Sequence, residues 1–410
     1  MKRRSCRWLA AISVAFVLAA LPVESSRRPR YGGTLRLEIG GTINSLDAEA
    51  RSTSGEDETA KGEISSLIRE VLETKSRFSV PGPFHVTAFE AGKRAVLTAT
   101  EDYPQGRPFV DAIEITMGRA ARNRILDLEL NKTDFAEIPP EDARRAAERG
   151  VRVSRSQPDE LLALVFLSAP EAKKGGAVGP RAREGVALSI DRAAIANFIL
   201  QKEGEPAGGL LPQWSSGTAF LFSTAADKVH AKELSAQIVP APKIVLGYDS
   251  DDSLERAVAE RIAVNTKEAG IMVTARATPR PAWPFAPLDE RIWKRTPATV
   301  DALLVRISMP SRKPAETLED FAGLLGITTS RNAYFVAPDA TAEVIYERER
   351  RVVGTFRVVP LVWLPRVYGL SARVRDWTPP GPGESWALAD VWLDGPAEPA
   401  VEEGKSDVSH

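Results

Sequence analysis

One stretch in the second half of the sequence follows a strand–helix–strand pattern that restricts the chain to a narrow group of folds. An apolar run at 243–248 indicates a buried strand, and apolar residues then recur every four positions over 254–262, as on one face of a helix. Further strands are predicted at 271–275 and 302–307. Two strands joined by a helix form a parallel pair with the helix on one face, so the pattern predicts an α/β fold.

Similar segments fill much of the remaining chain. Alternating or continuous apolar residues predict strands at 33–39, 84–89, 95–99, 112–116 and 161–167. Helical spacing and helix-start residues predict helices at 56–74, 123–130 and 140–149 and helices that begin near 180 and 191. Because strands and helices alternate along the chain, we expect mixed, mostly parallel sheets with helices on their faces.

The N-terminal segment 1–26 has the composition of a secretory signal peptide. Four basic residues precede an apolar run at 8–23, and a polar stretch with Ser25 and Ser26 follows. The apolar run is shorter than the roughly 20 residues that a membrane-spanning helix needs. We therefore expect cleavage near these serines and a periplasmic protein. An uncleaved N-terminal anchor is the alternative, and both place the folded part outside the cytoplasm.

Composition argues against several classes of protein. The 54 basic and 55 acidic residues leave a net charge of −1, so no overall field attracts nucleic acid or an anionic membrane surface. The single cysteine, Cys6, lies in the predicted signal peptide. The exported part therefore has no disulfide and no thiolate metal site. We expect no nucleic-acid partner and no cofactor.

Motifs for catalysis or metal binding are missing from the sequence. The histidines His85, His230 and His410 have no further His, Cys or carboxylate pair at the spacing of metal ligands. The sequence contains neither a Gly-x-Ser-x-Gly turn nor a phosphate-binding glycine loop. A secreted hydrolase would need a nucleophile and base that the sequence does not display. We therefore expect a protein that binds rather than catalyses.

Six segments of the chain resemble, in the same order, those of a known protein family. They lie at 32–48, 82–113, 134–138, 181–195, 259–271 and 386–392. The most specific is Arg-Ala-Arg-Glu-Gly-Val-Ala-Leu-Ser-Ile-Asp-Arg-Ala-Ala-Ile at 181–195. Over about residues 31–393 the chain resembles the extracellular solute-binding proteins of family 5, the peptide- and nickel-type receptors of ABC importers.

The resemblance implies a two-lobed α/β fold, the type II fold of periplasmic binding proteins, with the ligand between the lobes. It divides the chain into lobe I at 27–178 and 365–394, lobe II at 179–364 and a disordered tail at 395–410. The implied partners are a small-molecule or peptide ligand and an inner-membrane ABC permease, and we expect a monomer. Closure of the lobes around the ligand would couple binding to shape.

Two departures from the family pattern concern the binding site. Only residues 73–81 stand where the family has an additional subdomain, so we expect lobe I to lack most of it. Residues 304–314 are basic where peptide-binding members have an acidic loop for the amino group of the ligand. Because Arg306, Arg312 and Lys313 would repel a cation, we expect a neutral or anionic ligand. In the alternative interpretation, these three are solvated loop residues.

The candidate ligand-binding residues are aromatic or polar residues outside the predicted helices. They are Trp214, Trp283, Phe285, Arg306, Ser308 and Arg312. The aromatic residues have an alternative role in core packing. The shortened lobe and the basic stretch also favour a second class of function, a periplasmic interaction or scaffold protein that keeps the fold but binds no ligand.

Overall fold

The computed structural model describes most of the chain beyond the predicted signal peptide. The described residues are 28–42, 82–167, 178–217, 221–278, 300–325, 336–384 and 386–395. The predicted signal peptide, the predicted helix at 56–74 and all but the first residue of the predicted tail lie outside these ranges. Within them, no helix is both long and apolar enough to cross a membrane.

Fifteen strands and nine α-helices make up the described part of the fold. The strands are β1 (Thr34–Glu38), β2 (Phe84–Glu90), β3 (Arg94–Ala99), β4 (Ala112–Thr116), β5 (Phe135–Ile138), β6 (Arg152–Arg155), β7 (Glu160–Phe166), β8 (Glu205–Pro206), β9 (Lys243–Asp249), β10 (Met272–Thr278), β11 (Ala302–Ser308), β12 (Val358–Leu364), β13 (Val367–Leu370), β14 (Val374–Arg375) and β15 (Trp392–Leu393). The helices are α1 (Ala121–Glu129), α2 (Ala143–Glu148), α3 (Pro180–Ser189), α4 (Arg192–Ala194), α5 (Gln213–Ser216), α6 (Lys228–Ala236), α7 (Ser253–Glu268), α8 (Pro314–Leu324) and α9 (Ala342–Val353). Short 3₁₀ turns occur at Pro140–Asp142 and Leu388–Asp390, and α4 continues as a π-helical turn at Ile195–Ile199.

A seven-stranded sheet forms around β1. Its order is β2-β3-β4-β1-β5-β13-β6, with β1 parallel to both of its neighbours. Thr34 is exposed, Leu35 and Leu37 are buried and Arg36 is half-buried, which confirms the alternation predicted for this strand up to Leu37, whereas Glu38 is also buried. Beneath the sheet, Phe135 and Tyr368 pack with Trp377 and Trp386 in one aromatic cluster, with ring centroids 4.6 to 6.2 Å apart.

A six-stranded sheet contains the strand–helix–strand unit predicted from the sequence. Its order is β10-β9-β11-β7-β12-β8, and β9 is parallel to both β10 and β11. Helix α7 connects β9 to β10 and packs on both strands. It begins where the Asp252 side chain accepts a hydrogen bond from the backbone N of Glu255, and Gly270 ends it with φ of 80°. The mixed α/β fold is thereby confirmed.

Parallel pairs are fewer than the sequence pattern predicted. Among the described strands of the two large sheets, four pairings are parallel and seven are antiparallel. The prediction of mostly parallel pairing was wrong in part because β5, β6, β12 and β13 were not predicted as strands, and these take part in four of the seven antiparallel pairings. Strands β5, β6 and β13 have only four residues each. Strand β12 is buried on both faces and contains Pro360, so apolar and polar residues do not alternate in its sequence.

Two short chain segments connect the sheets, at 156–159 and at 365–366. Strand β7 follows the first segment and lies in the six-stranded sheet between β11 and β12. The lobe boundary predicted after residue 178 had put β7 in lobe I instead. The division into two lobes with the predicted limits remains a prediction, whereas the assignment of β7 to the second sheet follows from its pairing.

The Asp-Arg pair at 191–192 fixes α4 to the six-stranded sheet. Asp191 Oδ1 accepts a hydrogen bond from the backbone N of Ala194 at 2.9 Å and so caps the helix. Arg192 is only 6% exposed, and its Nε donates to the carbonyl oxygen of Pro360 in β12 at 2.8 Å. Burial lowers the pKa of Arg192 to about 10, so it remains protonated at neutral pH. The Asp-Arg pair belongs to the segment that is most specific to the family, and it also holds α4 against the six-stranded sheet.

Arg192→Met tests this contact. We expect the free energy of unfolding to fall by about 2–3 kcal/mol because a buried carbonyl loses a charged donor. Urea unfolding followed by tryptophan fluorescence measures it. The control is Arg181→Met, at an exposed position of α3, which should change the value by less than about 0.5 kcal/mol. Equal stability of the two variants would contradict the assigned role.

Candidate functional site

The carboxyl ends of the parallel strands lie at one edge of each sheet. In open α/β sheets, ligands bind outside such edges. The edge of the seven-stranded sheet follows β1, β4 and β5, and the edge of the six-stranded sheet follows β9, β10 and β11. The polar side chains at these two edges therefore define the candidate site.

At the edge of the six-stranded sheet, Arg306 of β11 lies between two carboxylates. Its Nε and Nη2 donate to Glu160 Oε2 at 3.0 and 2.5 Å, and its Nη1 donates to Asp252 Oδ2 at 3.0 Å. Burial lowers the pKa of Arg306, but the negative charges of Glu160 and Asp252 outweigh it and raise the pKa above its ordinary value. Arg306 is therefore always charged, and the chain's own acids neutralise it.

A further acid at this edge, Glu255, is buried and mostly protonated at neutral pH. It lies in the first turn of α7 and is 5% exposed, and its Oε2 accepts a hydrogen bond from the backbone N of Asp249 at 2.8 Å. Burial, followed by the negative charge of Asp252, raises the pKa of Glu255 to about 8. Glu255 therefore adds little charge to the edge at pH 7.

One hydrogen bond joins the edges of the two sheets. The 3₁₀ turn at Pro140–Asp142 follows β5, and Ser253 begins α7 after β9. The Ser253 Oγ donates to Glu141 Oε1 at 3.1 Å. Burial raises the pKa of Glu141 above its ordinary value. The carboxyl edges of the two sheets therefore face each other at this point, and the space around it is the candidate binding site.

Two acids and two arginines occupy the edge of the seven-stranded sheet. Glu38, at the end of β1, is 8% exposed and lies 3.6 Å from Arg119, measured from Oε1 to Nε. Arg119 also donates to Asp127 of α1. Burial and then the charge of Asp127 raise the pKa of Glu38 to about 6. The guanidinium of Arg124 lies against Gly40, where a Cβ would approach its Nη2 to 3.2 Å.

Two of the predicted site residues, Arg306 and Ser308, lie at the candidate site. Ser308 ends β11, is half-buried and stands opposite Glu160 in the strand register. Both residues belong to β11, and a ligand contact by either of them remains a prediction.

The other basic residues of the 304–314 stretch are also neutralised by the chain. Arg312 Nε lies 2.9 Å from Glu384 Oε1, and Lys313 Nζ lies 2.7 Å from Glu316 Oε1. The positive charges of this stretch are therefore compensated, and the repulsion of cations expected from the sequence was wrong. The neutralising acids come from other parts of the chain as well as from α8.

Of the predicted aromatic residues, the described part of the chain includes Trp214. It lies in α5, is half-buried against the core, and its Nε1 donates to the carbonyl oxygen of Pro158 at 2.7 Å. Trp214 therefore packs against the core, as in the alternative role given above, and its contact with a ligand remains a prediction. Trp283 and Phe285 lie outside the described residues.

A buried acid holds the loop that precedes Trp214. Glu349 of α9 is 2% exposed, and its Oε1 accepts hydrogen bonds from the backbone N of Leu210 and of Leu211, the latter at 2.9 Å. Burial raises the pKa of Glu349 to about 7, although the two hydrogen bonds oppose the shift. The protonation of Glu349 therefore affects the stability of this loop near neutral pH.

Sequence reasoning missed the acids of the site, which are Glu141, Glu160 and Asp252. Asp252 carried a usable signal, since an aspartate just before an amphipathic helix is a typical cap at the end of a strand–helix connection. Glu160 carried none, because 146 positions separate it from Arg306 in the sequence. Among the described residues, no group of three or more His, Cys, Asp or Glu side chains is arranged to hold a metal ion.

The fold is that of the two-lobed type II periplasmic binding proteins. The structure of NikA from Staphylococcus aureus in complex with Ni(L-His)2 superposes with a TM-score of 0.62 at 16% identity, covering 80% of this chain and 75% of that chain. AppA from Bacillus subtilis in complex with a nonapeptide superposes with a TM-score of 0.59 at 13% identity, covering 90% and 100%. At these identities the likeness concerns the fold alone.

The family model of the bacterial extracellular solute-binding proteins, family 5 Middle, matches residues 71–323, more than half of the chain. The chain belongs to this family. It is 26% identical over 126 residues to the nickel-binding protein NikA of Staphylococcus aureus (strain NCTC 8325 / PS 47), and 24% identical over 197 residues to the probable D,D-dipeptide-binding periplasmic protein DdpA of Escherichia coli (strain K12). These alignments cover 31% and 47% of this chain, but only 25% and 37% of the two relatives.

Arg306→Met tests whether Arg306 neutralises Glu160 and Asp252. These two carboxylates are only 19% and 14% exposed, so the variant should lose about 2–4 kcal/mol of unfolding free energy at pH 7.5. Urea unfolding at pH 7.5 measures the loss. Arg256→Met, at an exposed arginine of α7, is the control, and a loss no larger than in this control would contradict the prediction.

Glu349→Gln tests the pH dependence of the loop. The folded-state pKa of about 7 lies above the ordinary value of 4.5, so this group makes the protein less stable as the pH rises between these values, by up to about 3 kcal/mol. The amide oxygen of glutamine can accept the same two hydrogen bonds without this dependence. Unfolding measured from pH 4.5 to 7.5 should therefore show a flatter profile for the variant. The control is Glu347→Gln on the exposed side of α9, and parallel profiles for wild type and Glu349→Gln would refute the assignment.

Proposed function

We propose that the chain is the periplasmic solute-binding component of an ABC-type importer and that it binds a small solute between the carboxyl edges of its two sheets. The hydrogen bond between Ser253 and Glu141 carries this proposal, because it brings together the two edges at which such sheets bind ligands. Membership of the solute-binding family supports it. The partners are the solute and an inner-membrane ABC permease, and the protein acts as a monomer.

The charges around the site favour a solute with a positively charged group. Glu160 and Asp252 both pair with Arg306, and Glu141 lies near them at the other sheet edge, so in this group of described residues the carboxyl groups outnumber the one bonded cation. Such a site favours a cation or a zwitterion over an anion. This proposal replaces the neutral or anionic solute expected from the basic stretch. It is also compatible with relatives that are named for binding nickel or a dipeptide.

The connections between the sheets support closure around a solute. Only the segments 156–159 and 365–366 join the two sheets within the described part of the chain. Short paired connections of this kind allow each sheet with its helices to move as one body. A solute that contacts both edges would stabilise the closed arrangement, and the permease would recognise that arrangement.

A ligand-free interaction protein is the second candidate, and direct contacts between the sheets favour it. Besides the Ser253–Glu141 bond, Arg155 at the end of β6 donates to both carboxylate oxygens of Glu203 at 2.6 Å. Glu203 lies just before β8 of the other sheet. Bidentate pairs of this kind hold two bodies in a fixed relation. In a scaffold protein these contacts would keep the sheets closed without a solute.

Three dipeptide probes test the proposed solute class. They are alanyl-alanine amide, a cation; alanyl-alanine, a zwitterion; and N-acetyl-alanyl-alanine, an anion. We expect thermal stabilisation and calorimetric binding with the first two and not with the third. Glu141→Gln keeps the hydrogen bond to Ser253 but removes a charge, so binding of the amide should weaken about tenfold. Glu148→Gln on the exposed side of α2 is the matched control and should bind as wild type does.

Two results would contradict the proposal in different ways. Binding of the N-acetyl peptide in preference to the amide would overturn the proposed charge of the solute and leave solute binding itself intact. If none of the probes binds and native mass spectrometry of gently purified protein detects no retained small molecule, the importer function fails and the scaffold candidate takes its place.

A further inference from the structure

The outer edge of β6 is a second candidate interaction surface, separate from the site between the sheets. Strand β6 is the last strand of the seven-stranded sheet, and among the described residues no strand pairs with its outer side. It runs parallel to β5, because each of them is antiparallel to β13. Its end at Arg155 therefore points toward the carboxyl edge of the sheet, whereas Arg152 lies at the opposite end, away from the proposed solute site.

The strand register determines which backbone groups of β6 face outward. The backbone N of Ser371 donates to Asp134 at 2.8 Å, and that of Ser156 donates to Arg366 at 2.9 Å. Hydrogen-bonded pairs alternate along antiparallel strands, so residues 152 and 154 bond to β13. The N–H and C=O groups of Val153 and Arg155 therefore point away from the sheet, in the arrangement that an added strand needs.

Cavities lie along this strand. One of about 620 Å³ is lined by Arg152, Ser154, Leu370, Arg375 and Trp377 among others. A second of about 280 Å³ shares Arg152, Leu370 and Arg375 with it. We call these two neighbouring cavities the β6 groove. Leu370 and Trp377 are 4% and 9% exposed and give the groove an apolar wall.

In the β6 groove, one guanidinium has no acidic partner among the described residues. Arg149 lies 3.0 Å from Glu129, and Arg375 lies 3.0 Å from Asp394. The remaining acid, Asp376, accepts a hydrogen bond from Trp392 Nε1 at 2.5 Å.

Arg152 donates to the carbonyl oxygen of Val374 at 2.7 Å and forms no ion pair with any described residue. Burial and the neighbouring charge of Arg375 lower the pKa of Arg152. A carboxylate beside Arg152 would therefore supply the acidic partner that this guanidinium lacks.

We propose that the β6 groove binds an extended segment of a partner protein as an added strand, with an acidic side chain of that segment against Arg152. The outward backbone groups of Val153 and Arg155 provide the main-chain hydrogen bonds, and Arg152 provides the preference for an acidic residue. Because the groove lies away from the carboxyl edge, the partner and the solute bind at the same time.

A fluorescent pentapeptide, acetyl-Val-Glu-Val-Glu-Val-amide, tests this proposal by fluorescence anisotropy with the full chain. We expect it to bind at least about tenfold more tightly than the peptide with lysine in place of glutamate. Methylation of alternate backbone nitrogens of the peptide removes the hydrogen bonds of one of its edges. The peptide methylated on the edge that faces β6 should lose binding, whereas methylation of the other edge should have little effect.

Two variants of β6 separate the contribution of the Arg152 charge from that of the main-chain hydrogen bonds. Arg152→Glu should weaken binding of the acidic peptide at least about tenfold and improve binding of the lysine peptide. Val153→Pro removes an outward N–H without affecting the bonds to β13, and proline is tolerated on edge strands at such positions. It should weaken binding of both peptides. Arg256→Glu, the same charge change on α7, is the matched control and should bind as wild type does. Thermal melts establish that each variant is folded.

Several outcomes would overturn the proposal. They include equal binding of the acidic and basic peptides, no binding of either peptide, or binding that is unchanged in Arg152→Glu. Binding that occurs only in a chain ending at Gly395 would also overturn it, because the segment 396–410 of the chain itself, and not a partner, would then be the occupant. If Val153→Pro does not fold, the methylated peptides still decide whether main-chain hydrogen bonds contribute.

Discussion

The geometry of the proposed solute site depends on the pairing of the two segments that connect the sheets. The backbone N of Ser156 donates to Arg366, and that of Asp159 donates to Leu364. Between them, the fully buried Asp159 forms an ion pair of 2.9 Å with Arg366. Burial raises the pKa of Asp159 to about 6, while Arg366 opposes the shift, so the pair is charged at neutral pH. Breaking it would leave a buried charge without compensation.

The same connection positions the residues around the solute site. Asp159 immediately precedes Glu160, its carbonyl oxygen accepts a hydrogen bond from the backbone N of Met309, and Pro158 accepts one from Trp214. Met309 follows Ser308, which stands opposite Glu160 in the strand register. The pairing of the two sheets, the contact between Glu160 and Arg306 and the position of α5 are therefore parts of one arrangement. A change in this connection would alter the site even if every site residue were kept.

The sequence predicted those parts of the fold in which local pattern and local structure agree. Helix α7 has a cap at Asp252, an apolar stripe and a stop at Gly270, and each of these signals acts within a few residues. Strand β12 has no such signal, because both of its faces are buried and it therefore lacks alternation. Strands β5, β6 and β13 are too short for a period to be recognised. These missing strands take part in four of the seven antiparallel pairings, among them the pairing of β7 with β12 that helps to place β7 in the second sheet.

The charge of the site could not be predicted from the sequence for a similar reason, because it depends on contacts between distant residues. The stretch 304–314 is basic in sequence, but Arg306 meets Glu160 from β7 and Asp252 from the start of α7. A count of charges along one segment cannot include partners that register and topology bring to it.

The ion pairs of Arg306 determine how a charged solute would interact with this site. A cationic group that enters this site must share Glu160 and Asp252 with Arg306, or displace Arg306 from one of them, whereas an anion would meet acids that Arg306 does not fully neutralise. Selectivity would then depend on how strongly Arg306 holds its two partners. That competition takes place within the site and does not depend on the net charge of the chain.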